Sequence, residues 1–270
     1  MVNNPHSEYD TLERLDDLLA IQDLLLHIRN RFDKKVKITA NFITCNPNFS
    51  EISSSNFNEY FFEPFVDTYF NRDHNTKVFD KVKELIREGY FTPQFHGREH
   101  VNVIYWLNEL RLQNKDLLSA FRDRCYALDT HSVTRKKPYL MAAYEYHTDI
   151  ERNFVKNSIV EGTKIFNDIF GHTSKSTVAP KHIWNPQLNK TFSECGIQFI
   201  QTAINQYVPT IESYLKIRHF TGEVDKDGLL YLVRNLYFEP SYAQDINWVD
   251  KSFGRIKWLF KLNVPVIISM

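Results

Sequence analysis

The sequence has few cysteines and few glycines, and it lacks the patterns in which those residues usually carry chemistry. Its three cysteines, Cys45, Cys125 and Cys195, are far apart and form no Cys-x-x-Cys pair, which argues against a zinc ribbon and a disulfide framework. Its eight glycines stand singly, so there is no glycine-rich phosphate loop, and no Gly-x-Ser-x-Gly nucleophile motif is present. We therefore expect reduced thiols without a catalytic role.

An excess of charge and a long apolar run are also missing. The 33 Lys and Arg residues balance the 33 Asp and Glu residues, so no overall field favours nucleic acid or an acidic membrane as a partner. No apolar run approaches the roughly 20 residues of a membrane span, and no signal peptide is visible. These absences predict a cytoplasmic protein that binds neither nucleic acid nor membrane.

The chain does contain an alternation of strand and helix patterns. Apolar strands are predicted at residues 36–44, 90–95, 176–183, 197–202, 229–237 and 264–269, with amphipathic helices between most of them. This order favours an α/β fold with mostly parallel strands, as an open sheet or a barrel. Because no linker interrupts the 270 residues, we predict a single domain over residues 1–270.

Two histidines, His96 and His100, follow the predicted strand 90–95. A spacing of four residues places both imidazoles on one side of a helical turn, and such a pair can hold a divalent metal. Functional residues of parallel α/β folds collect at the carboxyl ends of the strands, where residues 180–184 also fall. Glu145, Asp149 and Glu239 are the local carboxylates that could complete a site.

The order of these motifs resembles the polysaccharide deacetylase family, metal-dependent carbohydrate esterases with a distorted (β/α) barrel. Residues 39–43 (Thr-Ala-Asn-Phe-Ile), 96–100 (His-Gly-Arg-Glu-His) and 178–184 (Val-Ala-Pro-Lys-His-Ile-Trp) are similar to three of its motifs. The resemblance implies hydrolysis of N-acetyl or O-acetyl groups on a carbohydrate, with a divalent metal, zinc above all, held by His96 and His100. It also implies that Pro180 and Trp184 contact the sugar.

The departures from that family are the first-strand Asp-Asp pair and the final histidine, which have no counterpart here. The resemblance therefore implies an incomplete barrel, truncated at both ends, and it leaves a second hypothesis open: an inactive remnant that binds glycans or serves as an interaction module. A barrel without its first strand has open sheet edges, so we also predict self-association through them.

Residues 96–100 also spell His-x-x-Glu-His, the inverted zincin motif, in which Glu99 would be the general base of a metalloprotease. That hypothesis requires a regular helix and a third, distant ligand. A purely structural interpretation is open as well, in which Arg98 and Glu99 form a solvated pair and His100 packs against Trp106.

Overall fold

The computed structural model describes residues 12–73, 76–126, 138–240, 243 and 245–270. The helices are α1 Leu15–Phe32, α2 Phe49–Ser54, α3 Phe65–Asp73, α4 Lys77–Arg87, α5 Val103–Arg111, α6 Lys115–Arg122, α7 Asp149–Phe170, α8 Asn189–Glu194 and α9 Trp248–Lys261. The strands are β1 Ile38–Ile43, β2 Cys45–Pro47, β3 Phe62–Pro64, β4 Phe91–Gly97, β5 Ser176–Val178, β6 Phe199–Thr202, β7 Asn205–Pro209, β8 Tyr214–Arg218, β9 Leu230–Val233, β10 Leu236–Tyr237 and β11 Ile268–Ser269.

Five parallel strands form the central sheet, in the order β1-β4-β5-β6-β9. Each strand lies beside the next one along the chain, and helices connect most of the neighbours, which is the arrangement of repeated βα units. The other six described strands form three two-stranded sheets: β10-β11 is parallel, and β2-β3 and β7-β8 are antiparallel. The predicted α/β fold with mostly parallel strands is confirmed.

The sheet curls, as a distorted barrel requires. Gln201 on β6 donates a hydrogen bond from Nε2 to Asn41 Oδ1 on β1, over 3.1 Å. Three strand spacings separate β1 from β6, so their side chains would be about 14 Å apart in a flat sheet. Within the described residues β1 and β9 end this sheet, each with one strand partner in it. Self-association through the edges stays a prediction, as does the single domain over residues 1–270.

Helix α7 is the longest of the described helices and packs against β4. Its N-terminus carries a capping box, in which Thr148 and Glu151 bond each other's backbone, and Gly171 ends it in the left-handed conformation (φ 73°). Midway along it, Gly162 lets the helix approach β4 closely. A Cβ at Gly162 would lie 2.8 Å from Arg98 Cβ and 2.9 Å from two ring carbons of Phe95. The helix therefore supports the strand that carries His96.

The antiparallel hairpin β7-β8 is the main element that the sequence patterns did not predict. It follows β6 at its carboxyl end and pairs residues Asn205–Pro209 with Tyr214–Arg218. The backbone of Trp184 is bonded to it, because Trp184 N donates to Tyr207 O over 3.1 Å. The hairpin thus forms one wall of the carboxyl edge of the sheet. Among the described helices, none is long and apolar enough to cross a membrane.

Candidate active site at the carboxyl edge of the sheet

His96 and His100 lie side by side, but the chain between them is a turn and not the predicted helical turn. His96 belongs to β4, and the chain turns at Gly97, whose φ of 135° favours glycine strongly. A Cβ at Gly97 would lie 3.0 Å from the backbone oxygen of Glu99. The centroids of the two imidazoles are 5.1 Å apart, with the ring planes at 67°. The helical spacing argument was therefore wrong, and the glycine turn is what brings the rings together.

The hydrogen bonds of His96 define its tautomer. His96 Nδ1 lies 2.8 Å from Val178 O, and because a carbonyl oxygen only accepts, Nδ1 carries the proton. Burial first, and the neighbouring His100 second, lower the pKa of His96 to about 3. The ring is therefore neutral near pH 7, which leaves Nε2 unprotonated and able to accept a hydrogen bond, take a proton or bind a metal.

Two further imidazoles at this edge are neutral for the same reason. Burial is the largest cause that lowers the pKa values of His100 and His182 to about 4 each. His182 follows β5 and accepts a hydrogen bond at Nδ1 from the backbone of Ala203, over 3.3 Å. His100 Nδ1 is buried without a hydrogen-bond partner among the described residues. The positive charge of Arg234 or Lys181 also lowers the pKa of each of these three imidazoles.

The predicted metal site has no third ligand in the part of the chain that the structure describes. No group of three or more His, Cys, Asp or Glu side chains is arranged there to hold a metal ion. Protein-bound zinc usually has at least three protein ligands, whereas His96 and His100 supply two. Metal binding by this pair stays a prediction.

Glu99 is not available as a general base. Its carboxylate pairs with Arg98 (Nε to Oε2, 2.5 Å) and accepts a hydrogen bond from Ser158 Oγ over 2.6 Å, and the residue is 1% exposed. Arg98 also pairs with Glu161 and lies over the ring of Phe62, 4.4 Å from its centroid. The inverted zincin hypothesis is therefore wrong, because the motif lies in a strand and turn and its glutamate is sequestered. The expectation of a solvated Arg98–Glu99 pair is wrong for the same reason.

A cavity of about 690 Å³ lies at this edge, between β1 and the segment that contains β11. It extends from the start of β1 to the residues that follow β9, and its polar side chains are Lys37, Thr39, Asn41, His96, Gln201, Arg234 and Ser269. Arg234 links the two sides, because it donates from Nη2 to Gln201 Oε1 (3.2 Å) and from Nη1 to Ser269 Oγ (3.4 Å). None of the described side chains that line the cavity is acidic.

Pro180 and Trp184 lie in the core in this structure. Trp184 is 0% exposed, its indole Nε1 donates to Asn189 Oδ1 over 3.0 Å, and its ring stacks near that of His219. Pro180 is buried at the first position of a short 3₁₀ turn, Pro180–His182. Neither is among the described residues that line the cavity. Their contact with a sugar stays a prediction, and in this arrangement Trp184 offers no exposed ring face.

Glu145 is a buried carboxylate with several hydrogen-bond partners near the same edge. Its Oε2 accepts from the phenol of Tyr214 (2.5 Å) and from the backbone N–H of Tyr139 (2.9 Å). Its Oε1 lies 3.2 Å from His147 Nε2, and this contact raises the pKa of His147. Asn102, which follows the turn after β4, donates to the backbone oxygen of Glu145 over 3.1 Å.

Sequence reasoning missed Arg234 and Gln201 as site residues. The signal for Arg234 was present, since it directly follows a short apolar strand whose carboxyl end must face the same edge as that of β4. Gln201 lies within a strand, and its role depends on the curl that brings Asn41 within hydrogen-bonding distance. That curl leaves no local trace in the sequence.

The comparisons with known proteins identify the family. The model of Glycosyl hydrolase family 57 matches residues 18–235, which include all five strands of the central sheet. A comparison with curated proteins gives no match. The resemblance to polysaccharide deacetylases was therefore wrong, and with it the predicted zinc-dependent deacetylation and the inactive remnant of that family. Repeated βα order and a histidine pair at a strand end do not separate the two families, which is why the resemblance misled. Because the match covers most of the chain, the protein belongs to glycosyl hydrolase family 57.

Proposed function

We propose that the protein hydrolyses glycosidic bonds of a carbohydrate bound at the carboxyl edge of its sheet. The observation that carries the proposal is the family match over residues 18–235. The location is supported by the cavity described above, whose lining includes His96 near the end of β4, Gln201 on β6 and Arg234 directly after β9. Active sites of parallel α/β folds lie at this edge because the loops that leave all the strands meet there.

Glycoside hydrolysis commonly uses two carboxyl groups, one as the acid and one as an ionised nucleophile or base. We assign the ionised role to Glu145. Its carboxylate accepts hydrogen bonds from the phenol of Tyr214 and from the backbone N–H of Tyr139, and these two donors hold it in a fixed orientation. An imidazole, that of His147, lies within hydrogen-bonding distance of the other oxygen.

The surroundings of Glu145 connect it to the carboxyl edge. Lys181 follows β5 and places its ammonium 5.6 Å from the ring centroid of Tyr139. Asn102 follows the turn after β4 and bonds the backbone of Glu145. Tyr214 belongs to the hairpin that follows β6. The carboxylate therefore lies among segments that leave three neighbouring strands at the same end.

The experiment is a reducing-end assay of the purified protein against a panel of α- and β-linked oligosaccharides. We expect the wild-type protein to release reducing ends over time, and we expect Glu145→Gln to lower the rate by about 100-fold or more, in the range typical for loss of an acid–base group. Glu194→Gln is the matched control, because Glu194 is exposed and pairs with Lys190 at the surface. Failure of the wild-type protein to cleave any member of a broad panel would overturn the proposal, and equal rates for the two variants would overturn the assignment of Glu145.

A further inference from the structure

Arg234 is a partly buried cation without a carboxylate partner among the described residues. Its hydrogen-bond partners in the described part of the chain are neutral, namely the Gln201 side-chain oxygen and the Ser269 hydroxyl. Burial lowers the pKa of Arg234, and no nearby carboxylate offsets that effect. A guanidinium remains charged in proteins, so removing it from water without a counter-charge costs free energy. A bound anionic ligand would offset part of that free-energy cost.

The cavity that Arg234 lines has the charge distribution of an anion site. Its charged side chains are Lys37 and Arg234, both cationic, and none of the described side chains around it is acidic. The two hydrogen bonds of Arg234 use two of the five N–H donors of a guanidinium, which leaves three for a ligand. Those donors have the planar geometry that binds a carboxylate or a phosphate through two parallel hydrogen bonds.

We propose that this cavity is a subsite for an acidic sugar, in which Arg234 pairs with the carboxylate or phosphate of the carbohydrate. The inference rests on the proposed function and narrows its substrate class to anionic glycans. The volume, about 690 Å³, falls within the usual range of pockets for small ligands and accommodates more than the anionic group. His96 lines the same cavity, and its unprotonated Nε2 supplies an acceptor for a sugar hydroxyl.

The test is a binding measurement, so that its outcome is independent of turnover. Calorimetric titration compares uronic acid oligosaccharides of pectin and hyaluronan with the same oligosaccharides after reduction of their carboxyl groups to neutral alcohols. Glucose 6-phosphate, glucose and inorganic phosphate form a second set. We expect at least one acidic sugar to bind about 10-fold or more tightly than its neutral counterpart, and Arg234→Gln to remove that difference. Arg218→Gln, which changes an exposed arginine on β8, is the matched control and should keep it.

The outcomes separate this inference from the proposed function. Equal binding of acidic and neutral oligosaccharides by the wild-type protein would overturn the subsite, and this comparison does not depend on whether Arg234→Gln folds. Inorganic phosphate that binds as tightly as every sugar anion would also overturn it, since the site would then recognise a free ion. Arg234→Lys keeps the charge and loses the paired geometry, so it should bind acidic sugars with intermediate affinity. Hydrolysis of neutral glycans without selectivity for acidic ones would support the function and refute the subsite.

Discussion

Replacing Gly162 by alanine should destabilise the protein, although alanine is the better helix former. Gly162 lies inside α7 where that helix crosses β4. An added Cβ would lie 2.8 Å from Arg98 Cβ and 2.9 Å from two ring carbons of Phe95. Because carbon atoms in contact prefer separations of about 3.5–4 Å, α7 would have to move away from β4 by about 1 Å.

The magnitude follows from two opposing contributions to the free energy of unfolding. Alanine gains about 1 kcal/mol over glycine in a helix interior, and overpacking a core costs about 1–3 kcal/mol. Phe95 is 0% exposed and Arg98 is 4% exposed, so neither neighbour can move aside and the upper end of the cost applies. We expect a net loss of about 2 kcal/mol.

Gly254 in α9 provides the matched control. It is exposed and helical, and no atom lies within 4 Å of an added Cβ, so Gly254→Ala should raise the free energy of unfolding by up to about 1 kcal/mol. Urea unfolding followed by far-ultraviolet circular dichroism measures both variants. If Gly162→Ala stabilises the protein as much as Gly254→Ala does, the close approach of α7 to β4 is refuted.

Two further predictions concern buried charge and pH. Glu99→Gln should lower the free energy of unfolding by about 1–3 kcal/mol, because it removes one of the two carboxylates paired with buried Arg98 and leaves only Glu161, whereas Asp80→Asn, in an exposed pair with Lys83, should cost at most about 1 kcal/mol. Lowering the pH should also destabilise the protein, because three imidazoles with lowered pKa values bind protons more readily in the unfolded chain, near pH 6.5. Their contribution is complete above about pH 6.5 and is lost as the pH falls towards 4, by about 1–2 kcal/mol per ring at about pH 5, while the raised pKa of His147 acts in the opposite direction. The imidazoles are those of His96, His100 and His182. Urea unfolding at about pH 7 and at about pH 5 tests this prediction, and a urea midpoint that is no lower at pH 5 than at pH 7 would contradict it.

The strands and helices with strong local signals could be predicted from the sequence. The strand predicted at 36–44 is Ile38–Ile43, and the helix predicted at 150–170 is Asp149–Phe170. Both are bounded by local chemistry, Asn46-Pro47 after the first and the Thr148 cap and Gly171 around the second. Such signals act within a few residues, so one sequence contains them in full.

The site could be predicted only in part, because its geometry depends on residues far apart in the chain. The spacing of His96 and His100 fits a helix equally well, and only the conformation of Gly97 decides for a turn. In the sequence alone, Glu99 is indistinguishable from a free carboxylate. The fold places Ser158 of α7, which lies 59 residues further along the chain, within hydrogen-bonding distance of it. The family assignment failed for a related reason, since repeated βα units and paired histidines are compatible with more than one kind of hydrolase.

The sequential order of the five central strands has a consequence for how the protein is made. Every strand of the sheet after β1 joins a neighbour that precedes it in the chain, so the sheet can lengthen by one strand at a time as the polypeptide leaves the ribosome. No early strand has to wait for a late one to fill a gap beside it. Translation can therefore pause after β5 or β6 with a partial sheet already paired, whereas the cavity beside β1 is complete only after residues 266–270, which form part of its lining, have been made.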